Sequence, residues 1–175
     1  MTTEKPGLIM VFTGDGKGKT TAAVGQAVRA LGHGYRVFMI HFMKGHDYGE
    51  FLATAQMPNL TVVRAGRDGF GNREKPDPID VELVRDGFAR AEKAIMSGDY
   101  DLVVLDEINV AVDYGLVDEN DLLKLLKKKP REVTVILTGR NASIEIIKIA
   151  DTVSEILAIK HHYEQGVESC RGIEY

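Results

Sequence analysis

The sequence predicts a single α/β domain built around a phosphate-binding loop. Three observations lead there. Residues 8–21 read LIMVFTGDGKGKTT: a short apolar run, a glycine-rich break, then the start of a helical pattern. Downstream, short apolar runs alternate with segments whose apolar residues recur every three or four positions, as strands alternate with helices. One of those runs, DLVVLD at 101–106, ends in the acidic pair Asp106-Glu107. The chain has 175 residues, 44% of them hydrophobic, which is ample for one core. No repeat, low-complexity tract or linker divides it, so residues 1–175 are read as one domain.

The first strand is Leu8 to Phe12, and the loop after it carries the chemistry. Gly14, Gly16 and Gly18 let backbone N–H groups curl round phosphate oxygens with no Cβ in the way. Asp15, Lys17, Lys19, Thr20 and Thr21 complete the expected nucleotide-binding set. The helix that follows adds unpaired N–H groups and the positive end of its dipole. Lys19 can reach a terminal phosphate, and the Thr20 hydroxyl can ligate a magnesium ion. The spacing departs from G-x-x-x-x-G-K-[ST], because Thr13 stands in the first glycine's place and Gly14 is one residue too close. A plain glycine-rich turn with a helix cap is the competing reading. It leaves unexplained why strand and helix flank the loop as the motif demands.

The first helix runs from about Lys19 to Leu31 and should stop at Gly32 or Gly34. Arg36 to Phe42 is the second strand, and Lys44 to Gly49 leaves its carboxyl end, the side on which open α/β sheets bind ligands. Lys44 is therefore a candidate for phosphate or an acidic ligand edge, with a solvated lysine the alternative; His41, inside the apolar run, reads as a satisfied core histidine. A short helix over Glu50 to Gln56 leads to a third strand, Leu60 to Arg64. Residues 65–78, AGRDGFGNREKPDP, are read as a mobile flap over the site, with a merely solvated loop the alternative. Asp77 should cap a helix with Pro78 in its first turn and Val81, Val84, Phe88, Ala91 and Ile95 facing the core.

Asp101 to Asp106 is the fourth strand. A carboxylate at its end, opposite the loop lysine, is where a phosphate-loop enzyme holds its metal, while the neighbouring Glu107 can orient water or a ligand. Asn109, Asp113 and Tyr114 follow at the rim of the site, either as contacts to a bound ligand or as ordinary surface. Asp118 caps a helix with Leu122, Leu123, Leu125 and Leu126; Lys127-Lys128-Lys129 read as its solvated end, stopped by Pro130. Glu132 to Thr138 is a fifth strand, delivering Arg140 as a phosphate or carboxylate contact, with Asn141 capping a helix over 142–150. Residues 151–160 contain the last strand. His161 and His162, adjacent in sequence, should point apart rather than share a metal.

Composition narrows the function classes. A net charge of −4 and a pI near 5.7 give no basic field to draw nucleic acid. The single cysteine, Cys170, rules out an internal disulfide and fits a reducing compartment. No apolar run approaches a membrane span, and the start MTTEKPG has no signal-peptide segment. A cytoplasmic protein is expected, with no membrane partner.

The stretches TGDGKGKTTAA (13–23), HFMKG (41–45), LVVLDEINVAVDYGLV (102–117), VILTGR (135–140) and ADTVSEILAIKHHYEQGVESCRGIEY (150–175) resemble the phosphate-loop ATP:corrinoid adenosyltransferases of cobalamin synthesis and salvage. The shortened glycine loop is typical of that family. The resemblance implies a RecA-like P-loop domain with a mostly parallel sheet, as a homodimer. The implied reaction moves the 5′-deoxyadenosyl group of ATP to a reduced corrinoid, cob(I)alamin or cob(I)yrinic acid a,c-diamide, and releases triphosphate. It further implies Mg²⁺ or Mn²⁺ on Thr20 and Glu107 with Asp106 beside them, Lys19, Thr20 and Glu107 as the catalytic set, and a flavin-dependent electron donor as partner. Phe70 stands where some members place a cobalt-facing Phe. Asn72 stands where they place a Trp, and the chain has no Trp. Some members also carry a long N-terminal helix over the corrinoid, whereas Met1 to Gly7 precede the first strand here. Two other readings share the same loop: a small-molecule kinase, and a nucleotide-gated corrinoid-binding module.

Overall fold

The structure is a computed structural model that describes residues 6–45, 48–54, 56–67 and 76–174. In chain order the elements are β1 (Ile9–Thr13), α1 (Lys19–Gly32), β2 (Val37–Phe42), α2 (Gly49–Thr54), β3 (Leu60–Ala65), α3 (Pro78–Met96), β4 (Leu102–Asp106), α4 (Ile108–Asp113), α5 (Glu119–Lys128), β5 (Thr134–Thr138), α6 (Ile144–Ile149) and β6 (Thr152–Glu155), followed by a 3₁₀ turn over His162–Gln165. The six strands form one sheet in the order β3-β2-β4-β5-β1-β6, and every pairing is parallel. All carboxyl ends therefore meet at one edge. The glycine-loop strand β1 and the acidic strand β4 are separated by β5 alone, an arrangement consistent with the RecA-like α/β class.

Side-chain alternation on the strands divides the core into two layers. On one face Ala23, Ala27 and Ala30 of α1 meet Val37, Met39, Leu102, Val104 and Ile136. Small residues there let α1 lie close to the sheet. On the other face Val103, Leu105, Val135 and Leu137 pack with Val84, Ala91 and Ile95 of α3, Ile108 of α4, Leu122 and Leu126 of α5, and Ile146 of α6. β4 and β2 are buried along their whole length, as central parallel strands must be.

The caps at Asp77 and Asp118 form as expected: Asp77 accepts from the Ile79 N–H, and Asp118 from Asn120 and Asp121. Four readings change. Val81 lies toward solvent, and Asp80 is buried in its stead because Arg67 donates to both its carboxylate oxygens, at 2.6 and 3.3 Å. The last helix is capped by Ser143, whose Oγ accepts from Ile146; Asn141 instead adopts φ 57° and donates to Asp113. Lys129 is no solvated helix end, since its Nζ donates to the carbonyls of Gly7 at 3.0 Å and Val133 at 2.9 Å, tying the chain's start to the entry of β5. Asn109 is buried on α4, donating to Gly139 O, rather than at the site's rim. Residues 68–75 of the expected flap, Phe70 among them, lie outside the described residues, while its two ends belong to β3 and α3.

Candidate active site

The phosphate loop is built by glycines in positions that exclude a side chain. Gly18 sits at φ 117° directly before α1, a left-handed conformation that suits only glycine. Gly16 is closed in by the chain after β6: its N–H donates to Ile156 O at 2.7 Å, and a Cβ there would fall 2.6 Å from Leu157 O. One loop amide is thereby committed to the fold, and the cradle is left to the amides around the start of α1. The side chain of Lys19 is buried, with its Nζ donating to Gly16 O at 2.7 Å. Burial lowers its pKa from the ordinary lysine value, against the opposing pull of Glu107.

Asp106 is the hub. It is fully buried at the end of β4 and accepts four hydrogen bonds. Thr20 Oγ1 at 2.9 Å and Thr138 Oγ1 at 2.6 Å donate to its Oδ1. His41 Nδ1 and Lys44 Nζ, both at 2.8 Å, donate to its Oδ2. Burial alone would raise this carboxyl, but Lys44 and His41 together hold it well below the usual carboxylate range. Lys44 also donates to Thr20 Oγ1 at 3.0 Å. Burial would lower its pKa, yet the Asp106 carboxylate raises it. The carboxyl ends of β2, β4 and β5, with the helix that follows β1, supply this network, so the parallel sheet is what assembles it.

Glu107 follows in a left-handed conformation, φ 63° and ψ 17°, with its N–H donating to Thr138 Oγ1 at 2.9 Å. Among the described residues, three of the four non-glycine residues at positive φ, Met43, Glu107 and Asn141, lie just beyond carboxyl strand ends. Strain of this kind persists where surrounding contacts over-determine it. Burial and the neighbouring Asp106 charge push the Glu107 carboxyl above the ordinary glutamate value.

A cleft of about 430 Å³ opens over the loop, lined by residues 15–21, Lys44, Glu50, Glu107 and Arg140. Arg140 lies 3.6 Å from Asp15, with both side chains exposed at the mouth. Asp15, Gly16, Lys17, Gly18, Lys19, Thr20, Thr21, Lys44, Glu107 and Arg140 are thus brought to one cavity, while Asp106 sits behind it and Gly14 packs against Ile156. Sequence reasoning missed the fourth wall: His161, Gly172, Ile173 and Glu174 line the same cleft. Lys17, expected to face phosphate, instead donates to Ile173 O at 2.8 Å and lies 3.3 Å from Glu174. His161 and His162 do not point apart but stack at 4.6 Å. His41 is the expected core histidine, yet its Asp106 bond ties it into the site. Thr138 was also missed; its place as the last residue of an apolar strand, as Asp106 is the last of β4, was the available signal.

A glycine loop opening a helix, joined through Thr20 to a buried aspartate at the end of a nearby strand, defines a phosphate-loop nucleotide-binding domain. Comparison with known proteins sharpens this. A family model described as ATP:corrinoid adenosyltransferase BtuR/CobO/CobP matches residues 5–175. The corrinoid adenosyltransferase of Escherichia coli (strain K12) is 36% identical over 172 residues, covering 98% of this chain and 87% of that protein. Corrinoid adenosyltransferase CobA of Salmonella typhimurium is also 36% identical with the same coverage, and the Pseudomonas aeruginosa enzyme is 31% identical over 173 residues, covering 98% and 85%. A looser likeness, with TM-score 0.48 and 19% identity, runs to a chain of the assembled type III secretion ATPase EscN, covering 92% of this chain and 45% of that one. The chain belongs to the ATP:corrinoid adenosyltransferase family, a family of transferases.

Proposed function

We propose that the protein transfers the 5′-deoxyadenosyl group of ATP to the cobalt of a reduced corrinoid and releases triphosphate. The electron pair of cobalt(I) forms the Co–C bond at C5′, the C5′–O bond breaks, and its electrons leave on the triphosphate. The substrate supplies the nucleophile, so the protein's task is to orient C5′ and to stabilise the departing charge. The loop amides, Lys19 and Arg140 face that charge. The Thr20–Asp106 bond, which locks the loop to the acidic strand end, is the observation that carries this reading.

The donor set fits a divalent cation. All four hydrogen bonds of Asp106 are already made within the protein, which suits it to holding Thr20 and Lys44 from behind. Glu107 is a half-buried carboxyl that burial and the Asp106 charge push toward its neutral form even against Lys44, Lys19 and Arg140, so a cation beside it would favour its charged form. Thr20 and Glu107 would therefore hold Mg²⁺ or Mn²⁺, and the bound ion would neutralise charge on the leaving phosphates. Lys44, bonded to Asp106 and Thr20, serves the frame of the site more than the phosphates.

The segment around Phe70 supplies the corrinoid-facing surface, a flavin-dependent donor reduces the cobalt, and the protein works as a cytoplasmic homodimer. Among the described residues no helix is long and apolar enough to cross a membrane. The test is anaerobic incubation with ATP, Mg²⁺ and chemically reduced cobalamin. The expected result is the spectrum of an alkyl-cobalt product with one triphosphate per Co–C bond. Release of ADP would indicate phosphoryl transfer instead, and ATP and corrinoid binding with no product would indicate a binding module.

A further inference from the structure

The C-terminal tail presses a carboxylate onto the phosphate loop. Beyond β6 the chain crosses the loop, with Ile156 O accepting from Gly16, and returns after the 3₁₀ turn so that residues 172–174 form one wall of the cleft. There Ile173 O accepts from Lys17 Nζ at 2.8 Å, and Glu174 Oε1 lies 3.3 Å from the same ammonium and 3.6 Å from His162 Nε2. The other Glu174 oxygen accepts from the Cys170 N–H at 2.7 Å, while Cys170 O accepts from the N–H groups of Ile173 and Glu174. The carboxylate is thus presented by a closed turn, in which Gly172 takes φ 81°.

An anion held on a loop lysine by a structured turn is chemically a stand-in for phosphate. We propose that Glu174 occupies the Lys17 ammonium in the nucleotide-free protein and that polyphosphate displaces it, so that the tail sets how tightly the site retains its polyphosphate. This rests on the triphosphate-releasing reaction proposed above. Lys17 has two exclusive sets of acceptors. With the site empty it is bonded to Ile173 and Glu174, and with polyphosphate bound it turns into the cleft. Glu174, left beside a multiply charged anion, then repels it. The same contact that weakens binding re-forms as the product leaves, which favours release. The contact is half-exposed and screened by solvent, so its effect on affinity is modest, roughly 1.4- to 5-fold.

The experiment uses inorganic triphosphate with Mg²⁺ and no corrinoid. Titration calorimetry on wild type and Glu174→Gln should give tighter binding for the variant, by roughly 1.4- to 5-fold. The glutamine keeps an oxygen for the Cys170 amide and so preserves the turn. Hydrogen exchange on the wild type, which needs no variant, should show the amides of Cys170 and Glu174 exchanging faster when triphosphate is bound. Equal or weaker binding by Glu174→Gln, or tail amides whose exchange is unchanged or slowed by triphosphate, overturns the proposal. If wild type does not bind triphosphate at all, the reading of the cleft as a polyphosphate site fails first, which is a separate result.

Discussion

Asp106→Asn isolates the hub of the site. The substitution keeps the side chain's shape but exchanges one acceptor oxygen for an amide that donates. With the remaining oxygen kept toward Thr20 and Thr138, the new NH₂ group faces Lys44 Nζ and His41 Nδ1, both 2.8 Å from the oxygen it replaces. Two donors then meet a donor in a place that water does not reach, since Asp106 is fully buried. Removing one partner of a buried charge pair typically costs about 3–5 kcal/mol. The Lys44 side chain is 14% exposed and can turn its ammonium part-way to solvent, which favours the lower end, about 3 kcal/mol. For a domain of this size that is roughly 6–12 °C in Tm. The chain has no Trp, so far-UV circular dichroism during urea unfolding is the natural assay, with the midpoint read against an unchanged slope.

The pH dependence has a definite sign. The Asp106 pKa is lower in the folded protein than in the unfolded chain, so its contribution is present above the unfolded value of about 3.9 and is lost as pH falls through the lower folded value. Wild type should therefore keep its full advantage over Asp106→Asn at pH 5 and lose it only in stronger acid. A loss below about 1 kcal/mol at pH 7, or a gap that closes between pH 7 and pH 5, would refute the hub reading.

Other substitutions probe the surrounding parts. Lys19→Ala should lower turnover by about 100- to 1000-fold while leaving the urea midpoint nearly unchanged, as befits a group that stabilises departing charge; undiminished turnover removes it from that role. Glu107→Gln should raise stability at pH 7 in the absence of nucleotide and metal. The folded state holds the Glu107 proton more tightly than the unfolded chain, so its favourable contribution is present at low pH and lost as pH rises through the folded pKa. The gain should shrink as pH falls toward the ordinary glutamate range, Mg²⁺-dependent ATP binding should weaken, and a lower midpoint at pH 7 contradicts the assignment. Gly87→Ala should destabilise by roughly 1–3 kcal/mol despite alanine's better helix propensity, because the added methyl would overlap the Ala65 methyl and press on Phe42; a raised urea midpoint would show that α3 can shift away.

What could be read from the sequence was what neighbouring residues decide among themselves. The strand-loop-helix at 9–32 is specified by alternating glycines, a Lys-Thr pair and an alanine-rich helix, and it formed within a residue or so of its expected limits. The Asp77-Pro78 start of α3 is equally local. α4 was not legible, because Ile108–Asp113 is apolar enough to pass for the continuation of a strand; its start depends on Glu107 adopting a left-handed turn, which Thr138 of another strand supports. Asp80 was misjudged for a similar reason. Periodicity counts an aspartate as polar and turns it outward, whereas Arg67, thirteen residues away, makes its burial tolerable. Ser143 displaced Asn141 as a cap because Asn141 has its own partner in Asp113.

The tail escaped notice because nothing in it is periodic, and its importance lies only in what it meets. That meeting alters the meaning of residues that were legible. Three lysines reach the neighbourhood of the loop, and sequence alone treats them as equal cations. The fold grades them. Lys44 is tied to a buried carboxylate whose pairing raises its proton affinity, so moving it would strand the Asp106 charge. Among the described residues Lys19 bonds a neutral carbonyl within its own loop, and burial has already weakened its hold on the proton, so an incoming phosphate improves its surroundings outright. Lys17 lies between them: its carboxylate partner is real but borne on a half-exposed contact, so polyphosphate can outcompete it at small cost. A site that must bind a highly charged leaving group and then let it go requires such a gradation, with one cation fixed, one committed to the ligand, and one shared with a rival anion of the protein's own.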